Sequence, residues 1–433
     1  MKSYSKCFGR ILLPIVTLFI LSQHAMAAAV ELSLDDSIAL ALKNNPSIQI
    51  VEAGKEKSVW AVKQAQADKG FTVDYNHTDR RSTAPPTWVS SLSAVSPYNY
   101  FSNQLTVSLP IYTGGKLESS IDQAKLELNV SKLTISATRQ QLKLSTTTGY
   151  FNVLQNRNLR EIARQTVDDF SAHLKNVQAM YDAGTVALPD VLQTKVRLAN
   201  AENSMVKAQN NYDLAVYSLN NTIGLPLRSE IKLKEELKYQ QYNFNLDDII
   251  SYGLTHRPEM AQKQANIKIA QAQIKIAQSD KHPTVSLTGT NAWDDTDFAG
   301  TSNRNWTAIL SAKFNVFDSG RTNSQIKQAQ SSVTAAQEQA RQNRDDISLE
   351  ISSAYLSLKE AEKRINASSV AVEEADVNFK LAQERYSAGV GTNLDVMDAE
   401  LALAQAKTNY VQALYDYNTS KAQLDKAMGI DVN

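Results

Sequence analysis

The chain has 433 residues, 45 Lys+Arg against 45 Asp+Glu, and a single cysteine. That balance excludes the basic footprint of a nucleic-acid-binding protein, and one cysteine excludes a disulfide framework. The length alone suggests two or three globular domains, but an internal repeat argues for one object made of two halves.

At the N-terminus, Lys2, Lys6 and Arg10 flank an apolar run from Ile11 to Leu21, and Ala25-Met26-Ala27 follows. This is the pattern of a secretory signal peptide, so residues 1–27 are expected to be removed. A membrane anchor would need roughly 18 apolar residues, more than this run supplies. Cys7 leaves with the signal, and the remaining chain carries about −3 net charge. No later stretch has the length of a transmembrane helix, so a membrane role must come from β-strands.

Ser33-Leu34-Asp35-Asp36 reads as a helix start, with acidic groups at the positive end of the helix dipole. Phe71 to Arg80 and Asn103 to Tyr112 then alternate with period two. In the latter, Leu105, Val107, Leu109 and Ile111 share one face and Thr106 and Ser108 the other. Gly114-Gly115 reads as a corner into a helix that runs unbroken to Tyr181, roughly 100 Å at 1.5 Å per residue. The turn from Gly184 to Pro189 leads into a second helix whose seam is Val191, Thr194, Leu198, Ala201, Met205, Ala208, Tyr212, Ala215 and Leu219. Gly224-Leu225-Pro226 stops it.

The whole order then recurs. Tyr181-Asp182-Ala183-Gly184 with Asp190-Val191-Leu192 returns about 205 residues later as Tyr386-Ser387-Ala388-Gly389 with Asp395-Val396-Met397. Upstream, Leu34-Asp35-Asp36 and Pro46 return at an offset of about 212, as Leu246-Asp247-Asp248 and Pro258. Strand patterns recur at Thr284 to Trp293 and Trp306 to Phe317, and a heptad seam runs from Ile351 to Tyr386 through Leu358, Ile365, Val372 and Phe379. The expected organisation is a first repeat over 28–224, with strands at about 71–112 and a helical hairpin at about 114–224. A linker over 225–245 follows. The second repeat spans 246–433, with strands at about 284–317 and a hairpin at about 319–430.

Each strand segment has about the length of a tilted transmembrane strand, and Trp88, Tyr98, Tyr100, Trp293 and Trp306 sit at strand ends or in loops, as an aromatic girdle requires. The same pattern fits a soluble sheet. Four strands cannot close a barrel, since the smallest transmembrane barrels have eight, so a membrane reading needs two, three or four copies.

Signal peptide, duplicated helix-strand-strand-helix order, Pro110-Ile111-Tyr112-Thr113-Gly114-Gly115 and the paired Tyr-x-x-Gly-x5-Asp-Val tips together resemble the TolC-type outer-membrane efflux proteins, the outer membrane factors. The resemblance implies a mainly helical fold with transmembrane β-structure: a homotrimer with a shared twelve-stranded barrel and a periplasmic tube of twelve long helices. It implies a passive exit duct, meeting a periplasmic adaptor and an inner-membrane pump, in the outer membrane of a two-membrane cell. Outer-membrane lipid is then a partner; nucleic acid and cofactors are not. It assigns the periplasmic gate to Asp395 and Asp398, with a closed-state hydrogen bond between Asp190 and Tyr386, and adaptor contact to Gly184, Thr185, Gly389 and Val390. Where the best-known members carry a locking arginine, this chain has Gly391.

Residue chemistry supports a plainer reading of each position. Asp395 and Asp398 are three apart on one helix face, and a trimer would gather six carboxylates in one narrow mouth, which selects cations. Thr392-Asn393-Leu394-Asp395 also reads as a capping box. Tyr386 holds a seam position, and the two glycines are helix terminators. The four histidines outside the signal, His77, His173, His256 and His282, have no metal-ligand spacing, and no nucleophile or phosphate-loop motif occurs, so no enzyme and no metal site is expected. A periplasmic coiled-coil scaffold or adaptor is the alternative.

Overall fold

The computed structural model describes residues 30–83, 97–242 and 244–430; the expected signal peptide and Trp88 lie outside them. Four pairs of helices have matching lengths. α1 (Leu34–Asn44) and α5 (Leu246–His256) have 11 residues, and α2 (Pro46–Ala67) and α6 (Pro258–Ser279) have 22. α3 (Lys116–Asp182) and α7 (Arg321–Ser387) have 67, and α4 (Leu188–Ile223) and α8 (Asn393–Met428) have 36.

Local chemistry sets these boundaries. The Ser33 hydroxyl accepts from the Asp36 N–H while the Asp36 carboxylate accepts from the Ser33 N–H, a reciprocal cap at the start of α1. Proline opens α2 and α6, where its missing N–H costs nothing. The corner before α3 turns on Gly114 and Gly115, at φ 67° and 85°. A Cβ on Gly114 would lie 2.6 Å from the Ser279 carbonyl oxygen, so only glycine fits. In the second copy Ser319 takes that place at φ 54°, and Asp318 accepts from the N–H groups of Gly320 and Thr322 at 2.9 and 2.8 Å.

Two short strands, β1 (Val30–Leu32) and β4 (Ile231–Leu233), pair in parallel. β2 (Thr72–Ser82), β3 (Tyr98–Tyr112), β5 (Thr284–Asp295) and β6 (Asn305–Lys313) form an antiparallel sheet in the order β2-β3-β5-β6, with β2 and β6 at its open edges. β3 begins five residues before the periodic segment does, because Tyr98 already pairs with Ser82. β6 stops at Lys313 rather than Phe317. Lys313 pairs with Thr284, the first residue of β5, so among the described residues no strand residue opposes the next four. The register places Val73, Tyr75, Leu105, Val107, Leu109, Leu287 and Leu310 on one face, and Asp74, Asn76, Gln104, Thr106, Thr288 and Thr290 on the other. Several of these apolar side chains, Val73, Leu105, Val107, Leu287 and Leu310 among them, are exposed in the single chain.

The stretch read as a linker does more than connect. β4 lies in it, and beyond β4 the Tyr417 hydroxyl donates to the Gln240 carbonyl at 2.6 Å while Tyr242 donates to Asp425 at 2.5 Å. It is a strap bound to α8. Beneath it, α1, α5 and the β1–β4 pair pack on the middle of the long helices. Tyr150, Leu154, Leu219, Ile223, Ile351, Leu358 and Leu424 are fully buried there, each stabilising by roughly 1.5–3 kcal/mol. A second apolar cluster lies at the far tips of the helices.

Candidate functional site

The two hairpin tips lie side by side, joined by Val177 of α3, Val191 of α4, Phe379 and Tyr386 of α7, and Val396, Ala399 and Leu403 of α8. They turn on equivalent backbone bonds and differ in the second donor. After α3, Gly184 adopts φ 77° and both the N–H and the hydroxyl of Thr185 donate to the Met180 carbonyl, at 2.9 and 2.8 Å. After α7, Gly389 adopts φ 74°, and Val390 and Gly391 donate to the Arg385 carbonyl. A Cβ on Gly184 or Gly389 would meet no atom within 4 Å, so conformation alone demands glycine at these two open positions.

Asp395 sits in a complete capping box: its N–H donates to the Thr392 hydroxyl at 3.2 Å, and its carboxylate accepts from the Thr392 N–H at 2.9 Å. Those bonds, helped by the nearby Arg385 guanidinium, hold its carboxyl below the usual carboxylate range. Asp398 lies on the same helix face and meets Arg197 of α4 at 3.5 Å. Asp395, Asp398, Arg385 and Gly391 line one groove. Cations thus stand beside both aspartates, from positions that motif comparison does not reach. Only their placement by the helix packing reveals Arg197 and Arg385.

Tyr386 is 6% exposed, and its hydroxyl makes no hydrogen bond. Burial and the neighbouring Asp190 charge push that phenol up from its ordinary pKa. The bond to Asp190 that the resemblance implies is therefore not made in this structure. Its place as the polar link between hairpins is taken by Asn393, 4% exposed. The Asn393 amide donates to the Asp190 carbonyl at 3.1 Å and to the Thr194 hydroxyl at 3.2 Å, and its oxygen lies 2.7 Å from His173 Nε2. The Thr194 hydroxyl also donates to the Asp190 carbonyl at 2.8 Å. Asp190 thus enters through its backbone, and burial pushes the His173 pKa down. Asn393 was hidden in sequence inside the capping box, where its neighbours explain the pattern without it. Deeper in the seam, Glu400 of α8 is 3% exposed, and burial and Asp169 push its carboxyl up to about 7.

Comparison with known proteins follows the same duplicated pattern. The family model described as "Outer membrane efflux protein" matches residues 37–225 and again residues 249–430. The chain is 25% identical over 407 residues to outer membrane protein TolC of Escherichia coli, covering 89% of this chain and 80% of TolC. It is 22% identical over 438 residues to the alkaline protease secretion protein AprF of Pseudomonas aeruginosa, covering 95% and 87%. The crystal structure of the outer membrane protein VceC from Vibrio cholerae shares the fold with a TM-score of 0.78 at 20% identity, covering 92% of this chain and 96% of that one.

Proposed function

The chain belongs to the outer membrane efflux protein family, and on that premise we propose that it is a passive, trimeric exit duct gated at its hairpin tips. Its relatives are outer-membrane channels of efflux and secretion systems, a transport family rather than a family of enzymes. The protein itself is an outer-membrane protein that extends into the periplasm. The observation that carries the duct is the sheet. One face is mainly apolar and exposed along its length, the other mainly polar, and both edges are open, as in a segment of a transmembrane barrel whose lumen is wet. A soluble scaffold would leave that apolar face in water, and the relatives give that alternative no support.

Three copies supply the twelve strands and twelve long helices of the family plan. Repeat pseudo-symmetry supports further neighbours. α6 packs between α3 and α7, and its equivalent α2 packs on α3. α3 packs on α8, and the equivalent contact for α7 would be α4 of the next copy. On α7, Leu349, Leu356, Val370 and Val377 recur at heptad positions and are exposed, as are Leu192, Val196 and Val206 on α4. In this reading residues 28–224 and 246–433 are the two repeats and 225–245 the strap. The open glycine tips, Gly184-Thr185 and Gly389-Val390, meet a periplasmic adaptor, and an inner-membrane pump supplies the energy.

Asp395 and Asp398 then form the gate, with Asp190 and Tyr386 at its back. Single-channel current in a planar bilayer tests this directly. The double variant Asp395→Ala, Asp398→Ala should raise conductance and weaken cation selectivity. Unchanged current and selectivity would remove both carboxylates from the gate, and absence of any current from either protein would remove the duct.

A further inference from the structure

Glu400 has no role in the capping or gating just described, yet it is the acid most out of place at the tip. It lies on α8 one residue past the seam position Ala399, facing α3, and only 3% of its surface reaches solvent. Its Oε2 makes no hydrogen bond. A buried ionised carboxylate without a full set of donors is costly.

The groups around it do not supply that set. From α3 it faces Asp169, a second acid whose carboxyl is itself pushed up by burial, and the hydroxyl of Thr166. Asp168, next along, is held by Arg164 at 2.9 Å. From α8 itself comes Lys407, whose ammonium donates to Gln165 at 3.0 Å rather than to either acid. α4 brings Arg197 to the neighbouring groove, turned toward Asp398. α7 packs on α8 through the apolar seam of Phe379, Ala399 and Leu403, and no charged side chain of α7 is among the groups acting on Glu400.

The repeat shows that this arrangement is not imposed by the fold. At the equivalent positions Glu400 is replaced by Lys195 and Asp169 by Glu374, both exposed in the single chain. A neighbouring copy placed by the repeat pseudo-symmetry would bring that lysine against that glutamate. One seam joins like charges, and the other would join opposite ones.

We propose that Glu400 is the proton-binding site that controls the α3–α8 seam between the two hairpins of one chain. Protonated, it seats α8 on α3 and holds the tip shut; ionised, it repels Asp169 and loosens that seam while the seam between copies keeps its hold. This rests on the reading of the tip as the gate. The sign follows from the raised carboxyl, placed at about 7 by burial first and Asp169 second. Folding favours the protonated form, so the seam's stability falls as pH rises from the ordinary glutamate range through about 7.

The test uses the purified full-length trimer and two readouts between pH 5 and pH 9. In planar bilayers, wild-type conductance should rise with pH about a midpoint near 7, and Glu400→Gln should stay low and flat across the range. The thermal midpoint of the helical signal, which does not depend on channel activity, should be at least about 2 °C higher for Glu400→Gln than for wild type at alkaline pH and equal at pH 5. Asp169→Asn removes the repelling acid and should move the conductance midpoint to lower pH. A flat wild-type profile, or a Glu400→Gln protein that keeps the wild-type pH dependence in both readouts, overturns the proposal. If the thermal difference holds while the Asp395→Ala, Asp398→Ala protein conducts like wild type, the protonation site stands and the gate assignment falls.

Discussion

Asn45 and Arg257 occupy equivalent positions, each between the two short helices of its repeat, and the two repeats solve that junction with different chemistry. In the first, Asn45 caps α2 by accepting from the Ser47 N–H at 2.9 Å and donates to the Thr222 carbonyl at 2.9 Å. In the second, Arg257 is 4% exposed and makes no cap. Its guanidinium instead binds Glu259 and Glu350, and Glu350 also accepts from Lys426 at 2.8 Å. The equivalents of Glu259, Glu350 and Lys426 in the first repeat are Ser47, Ser145 and Asn221, all neutral. The comparison teaches that the backbone plan fixes where a junction needs donors, and not whether they are amides or ions. The tips repeat the lesson: Thr392 caps α8 with a full box, while Ala187 before α4 offers no side-chain cap and Pro189 follows.

The largest expected effect breaks the ionic junction. Arg257→Ala leaves Glu259 without its hydrogen-bonded partner and Glu350 with Lys426 alone, and should cost about 3 kcal/mol, against about 1 kcal/mol for Asn45→Ala. Chemical denaturation of the two variants compares them, and equal losses would mean the ion network is no stronger than a cap. The pH dependence carries the same signature. Burial alone would raise the carboxyls of Glu259 and Glu350, but hydrogen bonds from Arg257, and from Lys426 in the case of Glu350, more than offset it, and both end below 4.5. Their contribution is therefore present above 4.5 and lost as pH falls through the folded values, and Arg257→Ala should flatten that acid limb.

Next comes Asn393, whose equivalent in the first repeat is the exposed Leu188. Asn393→Ala strips partners from His173 and the Asp190 carbonyl and should cost about 2 kcal/mol, whereas Leu188→Ala should stay within about 0.5 kcal/mol. Similar unfolding midpoints for the pair would show that the polar link between hairpins is dispensable.

Asp395 sharpens the distinction between cap and gate. Asp395→Asn keeps an acceptor for the Thr392 N–H, so stability should hold while cation selectivity falls. Asp395→Ala should lose selectivity and also melt at a lower temperature, because the Thr392 N–H loses its acceptor. Reversal potentials and thermal melts on both proteins separate the two roles, and identical behaviour in both assays would leave the capping box with no stabilising part.

The smallest effect is expected at Tyr386. Because its buried hydroxyl has no partner, Tyr386→Phe should be neutral or slightly stabilising, by less than about 1 kcal/mol. A clear loss of stability would mean that the Asp190 bond forms in the protein after all. A tightening substitution at Gly391 faces a steric limit, since a Cβ there would lie 3.1 Å from the Tyr386 nitrogen and 3.2 Å from Arg385 Cβ.

The duplication, the paired long helices, the seams and the tip glycines are legible in the sequence, because each is written in the spacing of residues along the chain. The 3.5-residue period marks Ile351, Leu358 and Ile365 as inward, and all three are buried. The alternation in Asn103 to Tyr112 marks two faces whichever strand lies opposite. Tertiary structure alone decided the order β2-β3-β5-β6, the parallel β1–β4 pair of three-residue strands, and the binding of the strap to α8. It alone also buried Arg257, Asn393 and Glu400. A polar residue's fate depends on what a second element, hundreds of residues away, brings against it. Periodicity within one helix carries no record of that partner, so the same repeat position could hold an exposed Lys195 on one seam and a buried Glu400 on the other.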